Sequence, residues 1–426
     1  MGAPGNTLII GGGLAGLSCA RELGRACTLV ESASRLGGLC RTDVADGFSF
    51  DWTGHWLHAR DPEMRKLVQE RWLGGNLLEV QRRAVIYSEG VWTKFPYQFH
   101  LQGLPPQTIA DCLTGFVRAP AGRPLQNADD FILAHLGEGF ARHFMRPYNE
   151  KLFTVPTTEL SPEWGGRFIP RPTLEDVVAG AVGLPREGAG YNATFWYPRE
   201  GGIESLVRGM ERDLDCEVRL GSRVERLDLQ RRRARLSTGD ELAFGGLVLT
   251  APLSALAGML AGAPPSVVSA AARLRSVSVT VVEIGARDVA SGERFHWAYF
   301  PETRYPFYRI GSPSEVNPAL APPGFRSFAV EFSHRGPIDT KVAIEQALQG
   351  LAGSGLLDRS QVVLTRARTI PVAYVLFDHD FAAARAEVLD YLGANGVQVA
   401  GRYGRWEYSS MEDALLSGRE AARKLA

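Results

Sequence analysis

The spacing of hydrophobic and polar positions changes several times along this chain. In the first stretch it predicts a strand, a helix and a second strand, in that order. Thr7–Ile10 is a short apolar run, which predicts a buried strand. Leu17, Ala20 and Leu23 then recur on one helical face, and Cys27–Val30 predicts a second buried strand. Strand, helix and strand in this order are typical of a parallel sheet with helices on its faces, so the pattern predicts an α/β fold.

The region from about residue 60 to 185 is predicted to be mainly helical. Gln107–Val117 and Asp129–Phe144 both carry apolar residues at helical spacing. Residues 82–97 differ, because they alternate with period two around Glu89-Gly90, which predicts a β-hairpin. We interpret residues 61–185 as a mainly helical insert domain.

From residue 276 apolar and polar residues alternate along the chain. This pattern is typical of antiparallel strands that have one buried face and one face toward solvent or a binding site. Val277, Val279 and Val281 alternate with polar residues, and Phe328–Phe332 follows the same pattern. The chain then returns to the first domain at Val397–Gly401. The predicted organisation is therefore a discontinuous α/β domain of residues 1–60, 186–262 and 396–426, the helical insert of 61–185, and an antiparallel sheet domain of 263–395.

Composition narrows the class of protein. The 426 residues are 45% hydrophobic and 22% charged, as expected for a globular protein of two or three domains. The formal net charge is zero, which argues against a nucleic-acid or membrane-surface partner bound through bulk charge. No membrane-spanning apolar run and no signal peptide are visible, and the five scattered cysteines fit a reducing compartment. We expect a cytoplasmic protein, and a homo-oligomer is left open.

The residues between the first two strands carry a nucleotide-binding pattern. Gly11 suits a tight turn, Gly13 a close approach of the backbone to a pyrophosphate, and Gly16 the packing of the helix on the strand. The helix N-terminus at Leu14-Ala15 faces the phosphates, and Glu31 ends the second strand where it can bond a ribose hydroxyl. This order of strand, turn, helix, strand and acid predicts a dinucleotide-binding domain.

Two segments that follow resemble those of the amine-oxidase-like flavoproteins. Arg35, Gly37-Gly38-Leu39 and Arg41-Thr42 match the segment that lines the FAD pyrophosphate in that family. Phe50-Asp51 and Gly54-His55 match the segment near the isoalloxazine, with a threonine in place of the usual first glycine of its second pair. The resemblance implies that FAD is the dinucleotide.

The C-terminal end of the chain resembles the same family. Gly401-Arg402 and Met411-Glu412-Asp413 look like its closing FAD segment, where a helix N-terminus supports the electron-rich N1/O2 side of a flavin. Val224 stands where that family places a valine beside the adenine. The two ends of the chain are therefore expected to build one site.

The middle of the chain resembles the UDP-galactopyranose mutases within this superfamily, the eukaryotic-type branch in particular. The resemblance spans nearly the whole chain in the same order. It rests on Phe95–Gln98, Phe144–Asn149, Trp164–Arg167, Pro198–Gly202, Tyr299–Glu302, Pro306–Arg309 and Gly401–Tyr408.

This resemblance implies a flavin-dependent mutase that interconverts the pyranose and furanose forms of a UDP-sugar. In these mutases, reduced FAD attacks the anomeric carbon through N5 and expels the nucleotide, and the sugar recloses in the other ring size. The expected catalytic residues are His55, Arg309 and Arg402. The implied substrate contacts are Phe95, Tyr97, Gln98, Phe144, Asn149, Arg167, Tyr299, Arg309 and Tyr408. The implied cofactor is FAD, active when reduced, with NAD(P)H as a candidate reductant.

The sequence departs from the mutases where phosphate and sugar are bound. The tyrosine that follows the pyrophosphate arginine in the mutases is missing from Ser312–Val316, and Tyr374 is a candidate substitute from a shifted position. Two alternatives therefore stay open: an FAD-dependent oxidoreductase of the amine-oxidase or desaturase type, and a non-catalytic FAD-binding protein. His55 and His58 form an HxxH pair without a third ligand, so no metal site is expected.

Overall fold

The computed structural model of the chain describes residues 6–120, 122, 124–184, 194–288 and 292–425, without the side chains of residues 166–168. Its strands, numbered in chain order, are β1 Thr7–Ile10, β2 Cys27–Val30, β3 Thr42–Ala45, β4 Phe48–Asp51, β5 Leu78–Gln81, β6 Ala84–Ser88, β7 Val91–Lys94, β8 Thr194–Tyr197, β9 Glu217–Arg219, β10 Val224–Asp228, β11 Arg233–Leu236, β12 Glu241–Ala243, β13 Gly246–Leu249, β14 Ser276–Arg287, β15 Trp297–Tyr299, β16 Arg309–Gly311, β17 Phe325–His334, β18 Val362–Val375 and β19 Val397–Val399.

The α-helices surround these strands. They are α1 Leu14–Leu23, α2 Pro62–Lys66, α3 Pro106–Val117, α4 Ala128–Phe140, α5 Arg146–Phe153, α6 Glu163–Phe168, α7 Leu174–Ala181, α8 Glu204–Glu211, α9 Leu256–Met259, α10 Pro265–Arg273, α11 Pro313–Val316, α12 Thr340–Gly353, α13 Phe381–Ala394, α14 Gly401–Gly404 and α15 Met411–Arg423. Helices α2 and α4 continue as π-helical turns, Leu67–Trp72 and Ala141–Met145.

A five-stranded parallel sheet, in the order β19-β13-β1-β2-β9, is the centre of the first domain. On one face, Ile9, Leu29 and Val248 pack against α1 and α15. On the other face, Leu8 and Ile10 pack against the β10–β12 sheet and helices α10 and α13. Because both faces are buried, these strands are continuous apolar runs. The predicted α/β class is confirmed, and the sheet joins strands from both ends of the chain.

A seven-stranded sheet, in the order β18-β14-β17-β16-β15-β6-β7, is antiparallel except for the parallel pair β15–β6. Helix α12 covers one face, where Phe328, Val330 and Phe332 of β17 point into the core. Successive residues of a strand point to opposite faces, so Glu331 lies on the other face, where it meets Tyr308. That second face is directed toward α5 and carries polar side chains into the interior.

The segment 61–185 is mainly helical and also carries the strands β5, β6 and β7. The hairpin β6–β7 belongs to the seven-stranded sheet, because Ala84 pairs with Trp297, and β5 pairs with β8. The predicted turn is present, since Glu89 and Gly90 have φ values of 53° and 81°. Local periodicity predicts the hairpin correctly but carries no information about a strand partner so far along the chain.

Helices α3 and α4 cross each other at close range. Helix α4 bends at Gly137, where φ is 77°, so the predicted helix Asp129–Phe144 is divided. A Cβ atom on Gly137 would lie 2.0 Å from the carbonyl oxygen of Gly115 in α3, which explains why glycine is needed here. In the described part of the chain, no helix combines the length and the apolar character needed to cross a membrane.

Candidate active site

The glycine turn after β1 has the shape of a pyrophosphate cradle. Gly13 precedes α1 without any side-chain cap, which leaves the first main-chain N–H groups of the helix unoccupied by a capping side chain. A Cβ on Gly13 would face open space, with the Cα of Gly38 the nearest atom at 3.9 Å. A Cβ on Gly16 would lie 1.9 Å from the carbonyl oxygen of Gly11, so the helix packs directly on the turn. These residues fit the diphosphate of a dinucleotide.

The neighbouring residues hold this cradle in place. The carboxylate of Glu31 accepts a hydrogen bond from the N–H of Gly12 at 2.7 Å and is buried. Gly38 has a φ of 59°, and Gly37 donates from its N–H to the carbonyl of Gly12 at 2.8 Å. Arg35 forms ion pairs with carboxylates of the protein, with a 3.4 Å contact to Glu204. A contact between Arg35 and the cofactor therefore stays a prediction.

The C-terminal segment meets this cradle, as expected. Gly401 has a φ of 75°, and a Cβ there would lie 2.8 Å from the Cβ of Ala15. The carboxylate of Glu412 accepts from the N–H groups of residues 60 and 61, and Asp413 forms a capping box with Ser410. Met411 is the first residue of α15. Both acidic side chains therefore accept hydrogen bonds from main-chain N–H groups of the protein, and a contact of this helix terminus with a flavin stays a prediction.

Two further residues expected at the cofactor pack within the protein. Leu39 packs against the cluster that includes Tyr308, and Val224 is buried at the start of β10. Their contacts with FAD stay predictions.

His55, Arg309 and Arg402 lie close enough for the two arginine charges to act on the imidazole. Burial, together with the positive charges of Arg402 and Arg309, lowers the pKa of His55 to about 4. The imidazole is therefore neutral at neutral pH. Arg402 donates from Nε and Nη2 to the carbonyl of Ser409 at 3.2 and 2.6 Å, and its guanidinium lies 5.0 Å from the ring centroid of Tyr408.

Arg309 forms a buried ion pair that the sequence reasoning did not identify. Its Nε and Nη2 donate to the carboxylate of Glu331 at 3.0 and 2.9 Å, and Glu331 is 2% exposed. The hydroxyl of Tyr308 also donates to Glu331. The hydroxyl of Tyr374 lies 3.4 Å from Arg309, so the shifted tyrosine does reach this arginine. The alternation of Phe328, Val330 and Phe332 places Glu331 on the opposite face of the strand, but it does not show that this face is buried.

A column of aromatic rings approaches this ion pair. Tyr97 stacks on Phe144 with centroids 5.0 Å apart, and Phe144 stacks on Tyr148 at 5.4 Å. Tyr148 contacts Tyr299 edge-to-face at 5.4 Å, and Tyr299 lies 4.8 Å from Phe95. Tyr97 is fully buried, so it supports Phe144 from behind. Tyr148 was missed as a site residue, although it lies inside the motif Phe144–Asn149.

The two amide residues expected at the nucleoside pocket lie beside this column. Gln98 donates to the carbonyl of Pro170 and Asn149 to the carbonyl of Met145, both at 2.7 Å. Both side chains are buried. Their amides thus fix local main chain, and a contact with a base stays a prediction.

Two other expected contacts are less defined. Tyr408 is 40% exposed, at the edge of the site. Arg167 lies in α6, but its side chain is outside the described residues. Among the residues that the structure describes, no group of three His, Cys, Asp or Glu side chains could hold a metal ion.

The arrangement of these side chains can bind and orient a ligand. The described site offers two half-buried arginines, a neutral histidine, tyrosine hydroxyls and stacked aromatic faces. Such a set suits an anionic ligand with a flat, apolar part. When FAD is bound in the cradle, it supplies the redox or covalent chemistry, and the protein supplies the placement of the substrate.

Comparison with known proteins agrees with this geometry. The family described as flavin containing amine oxidoreductase matches residues 14–426 of the chain. The coproporphyrinogen III oxidase of Mycobacterium tuberculosis is 26% identical over 321 residues, which make up 66% of this chain and 66% of that protein. The chain thus spans about two thirds (66%) of the length of the curated relatives it matches.

Solved structures share the fold over almost the whole chain. Reduced UDP-galactopyranose mutase superposes with a TM-score of 0.93 at 25% identity, covering 99% of this chain and 93% of that one. A structure described as that of a proposed protoporphyrinogen oxidase from Exiguobacterium sp. 255-15 superposes with a TM-score of 0.75 at 18% identity, covering 99% and 98%. The second likeness shows the fold alone.

Proposed function

The chain belongs to the family of flavin-containing amine oxidoreductases, with FAD as its cofactor, and from this premise we propose that it is a flavin-dependent nucleotide-sugar mutase. The reaction would interconvert the pyranose and furanose forms of a UDP-sugar. A reduced flavin supplies the nucleophile for such a reaction, and NAD(P)H is a candidate reductant. The protein's residues have to bind the nucleotide and orient the sugar.

The observation that carries the proposal is the continuity from stacked rings to the half-buried guanidinium of Arg309. Tyr97, Phe144 and Tyr148 form one stack, and the positive charge of Arg309 is close enough to act on the pKa of Tyr148. Arg309 is also close enough to lower the pKa of His55. Base, diphosphate and sugar of a nucleotide sugar require an aromatic face, a cation and a flavin in this order.

The polar groups fit the same assignment. Arg309 binds the diphosphate, and the hydroxyl of Tyr374 lies near the same guanidinium. Tyr299 and Phe95 border the column, and Arg402 stands near His55, where the sugar meets the flavin. A neutral His55 donates or accepts one hydrogen bond without adding charge. The likeness to reduced UDP-galactopyranose mutase supports this placement.

A binding experiment with one variant tests the proposal. Arg309→Met in dithionite-reduced protein should weaken UDP binding about 10- to 100-fold, the usual effect of losing hydrogen bonds from a charged group. Arg368→Met is the matched control, because Arg368 is also a poorly exposed arginine paired with a buried glutamate, Glu283. Equal UDP affinity in both variants and the wild type would exclude Arg309 as the phosphate ligand.

A second candidate function rests on the curated relatives. The match to coproporphyrinogen III oxidases favours an FAD-dependent oxidase that acts on a porphyrinogen-like substrate. This function predicts oxygen consumption in proportion to product and no requirement for UDP. Oxygen uptake with coproporphyrinogen, measured with and without UDP, distinguishes the two functions.

A further inference from the structure

A lysine on helix α5 is bonded to three main-chain carbonyls of one loop. The Nζ of Lys151 donates to the carbonyl oxygens of Phe300 and Glu302 at 2.7 Å each, and of Phe307 at 3.1 Å. Burial lowers the pKa of Lys151 to about 7, and in the protonated form its three N–H donors are all engaged in this loop. The loop connects β15 to β16.

The loop stands directly behind the site. Strand β15 ends at Tyr299, and β16 begins at Arg309, so both residues border the loop. Helix α5 carries Tyr148, the last ring of the stacked column. Lys151 therefore joins the element that carries the aromatic column to the hairpin that carries the cation.

Other contacts also hold the loop. Phe300, Tyr305 and Phe307 pack on one another with ring centroids 5.0 to 5.6 Å apart. They belong to the hydrophobic cluster under α12, on the other face of the sheet. The backbone N–H of Phe300 also donates to the carbonyl of Tyr308 at 3.0 Å. What Lys151 adds is the connection between the loop and α5.

We propose that Lys151 is a positioning residue, which sets the distance between the ring of Tyr148 and the guanidinium of Arg309 and so determines affinity for the nucleotide diphosphate. This inference rests on the proposed function. Three directed hydrogen bonds from one charged group fix both the distance and the angle between two elements. A neutral side chain of the same length would leave three carbonyls without this donor and release the hairpin from α5.

The test compares Lys151→Met with Lys341→Met, an exposed lysine at the start of α12, in full-length FAD-bound protein. Lys151→Met should raise the Kd for UDP and the KM for UDP-galactopyranose about tenfold, as expected for lost hydrogen bonds to a charged group, with kcat changed less than about threefold. FAD content should equal that of the wild type. Lys341→Met should leave all four quantities unchanged.

Chemical rescue separates positioning from a general loss of packing. In Lys151→Ala, propylammonium ions can occupy the vacated space and donate to the three carbonyls, whereas tetramethylammonium ions have no N–H donor. We expect propylammonium to restore most of the UDP affinity and tetramethylammonium to restore none. Equal effects of both ions would overturn the proposal.

Hydrogen exchange gives a readout that does not depend on the substrate. Amides of residues 300–308 should exchange faster in Lys151→Met than in Lys341→Met, with the five-stranded sheet unchanged. Unchanged exchange, or an unchanged Kd for UDP with normal FAD content, would overturn the proposal. If the wild type itself binds no UDP, the proposed function fails, and the exchange result still decides whether Lys151 positions the loop.

Discussion

Replacing Glu331 by glutamine should strengthen the binding of a nucleotide diphosphate. Arg309 donates two hydrogen bonds to the carboxylate of Glu331, which is 2% exposed. The positive charge of Arg309 is therefore neutralised by the protein before any ligand arrives. A phosphate on the open side of the guanidinium has to bind close to a buried negative charge. Glu331→Gln removes that charge and keeps the shape of the side chain.

The size of the effect follows from two opposing contributions. At an effective dielectric constant of about 20 and a separation of roughly 6 Å, the carboxylate repels one phosphate charge by about 3 kcal/mol. The glutamine side chain accepts fewer hydrogen bonds from Arg309 and Tyr308 than the carboxylate does, so Arg309 is held less firmly. One lost hydrogen bond to a charged group costs about 1.5 kcal/mol of the free energy of UDP binding. The net gain of about 1.5 kcal/mol corresponds to a roughly tenfold lower Kd for UDP.

The assay is a titration of dithionite-reduced protein with UDP, followed by flavin fluorescence or calorimetry. Glu283→Gln is the matched control, because Glu283 is 0% exposed and paired with arginines on the neighbouring strand of the same sheet. Both variants lose a buried charge pair and should lower the free energy of unfolding. Only Glu331→Gln should lower the Kd.

Two results would refute this reasoning. A higher Kd for UDP in Glu331→Gln, with the protein folded and FAD bound, would mean that the carboxylate itself holds the ligand or holds Arg309 in its only productive position. An equal change in Glu283→Gln would mean that the effect is a property of the whole sheet.

Two further predictions concern the cofactor cradle and acid stability. Gly13→Ala should fold normally but bind FAD at least about tenfold more weakly, because its methyl group points into the space for the pyrophosphate. Gly16→Ala should yield no folded holoprotein, because its methyl group would lie 1.9 Å from a carbonyl oxygen. Circular dichroism and flavin absorbance distinguish the two variants, and equal FAD retention in both would contradict the assignment. The pKa values of His55, His58 and His296 are lowered from 6.5 to about 4, mainly by burial, so the unfolded chain binds more protons and stability should fall as pH drops from 6.5 to 4. Urea unfolding of His55→Gln across this range should show a smaller loss than the wild type, and an identical slope would contradict a buried neutral His55.

The sequence predicts the elements whose structure depends on nearby residues. The turn at Gly11, the helix after it and the hairpin turn at Glu89-Gly90 are of this kind, because glycine positions and periodicity act over a few residues. The pairing of β6 with β15 could not be predicted in this way. It depends on contacts between residues distant in the chain, so the hairpin was placed in the helical insert.

In the site, too, the sequence does not predict which polar side chains pair with each other. The resemblance directed attention to His55, Arg309 and Arg402, which the fold does bring close together. It gave no partner for Arg309, because an acidic residue in an alternating strand is normally interpreted as facing solvent. Glu331 faces a buried interior instead, which only the packing of the sheet against α5 determines.

Product analysis under anaerobic conditions tests the central claim most directly. Dithionite-reduced protein is incubated with UDP-galactopyranose, and the two ring isomers are separated by chromatography while consumption of the reductant is followed. Oxygen uptake with coproporphyrinogen is measured in a separate aerobic assay. A nucleotide-sugar mutase should form the furanose isomer over many turnovers without net consumption of the reductant, and Arg309→Met should lose this activity. Absence of the furanose isomer, together with oxygen uptake in proportion to coproporphyrinogen oxidised, would contradict the mutase assignment and establish the oxidase.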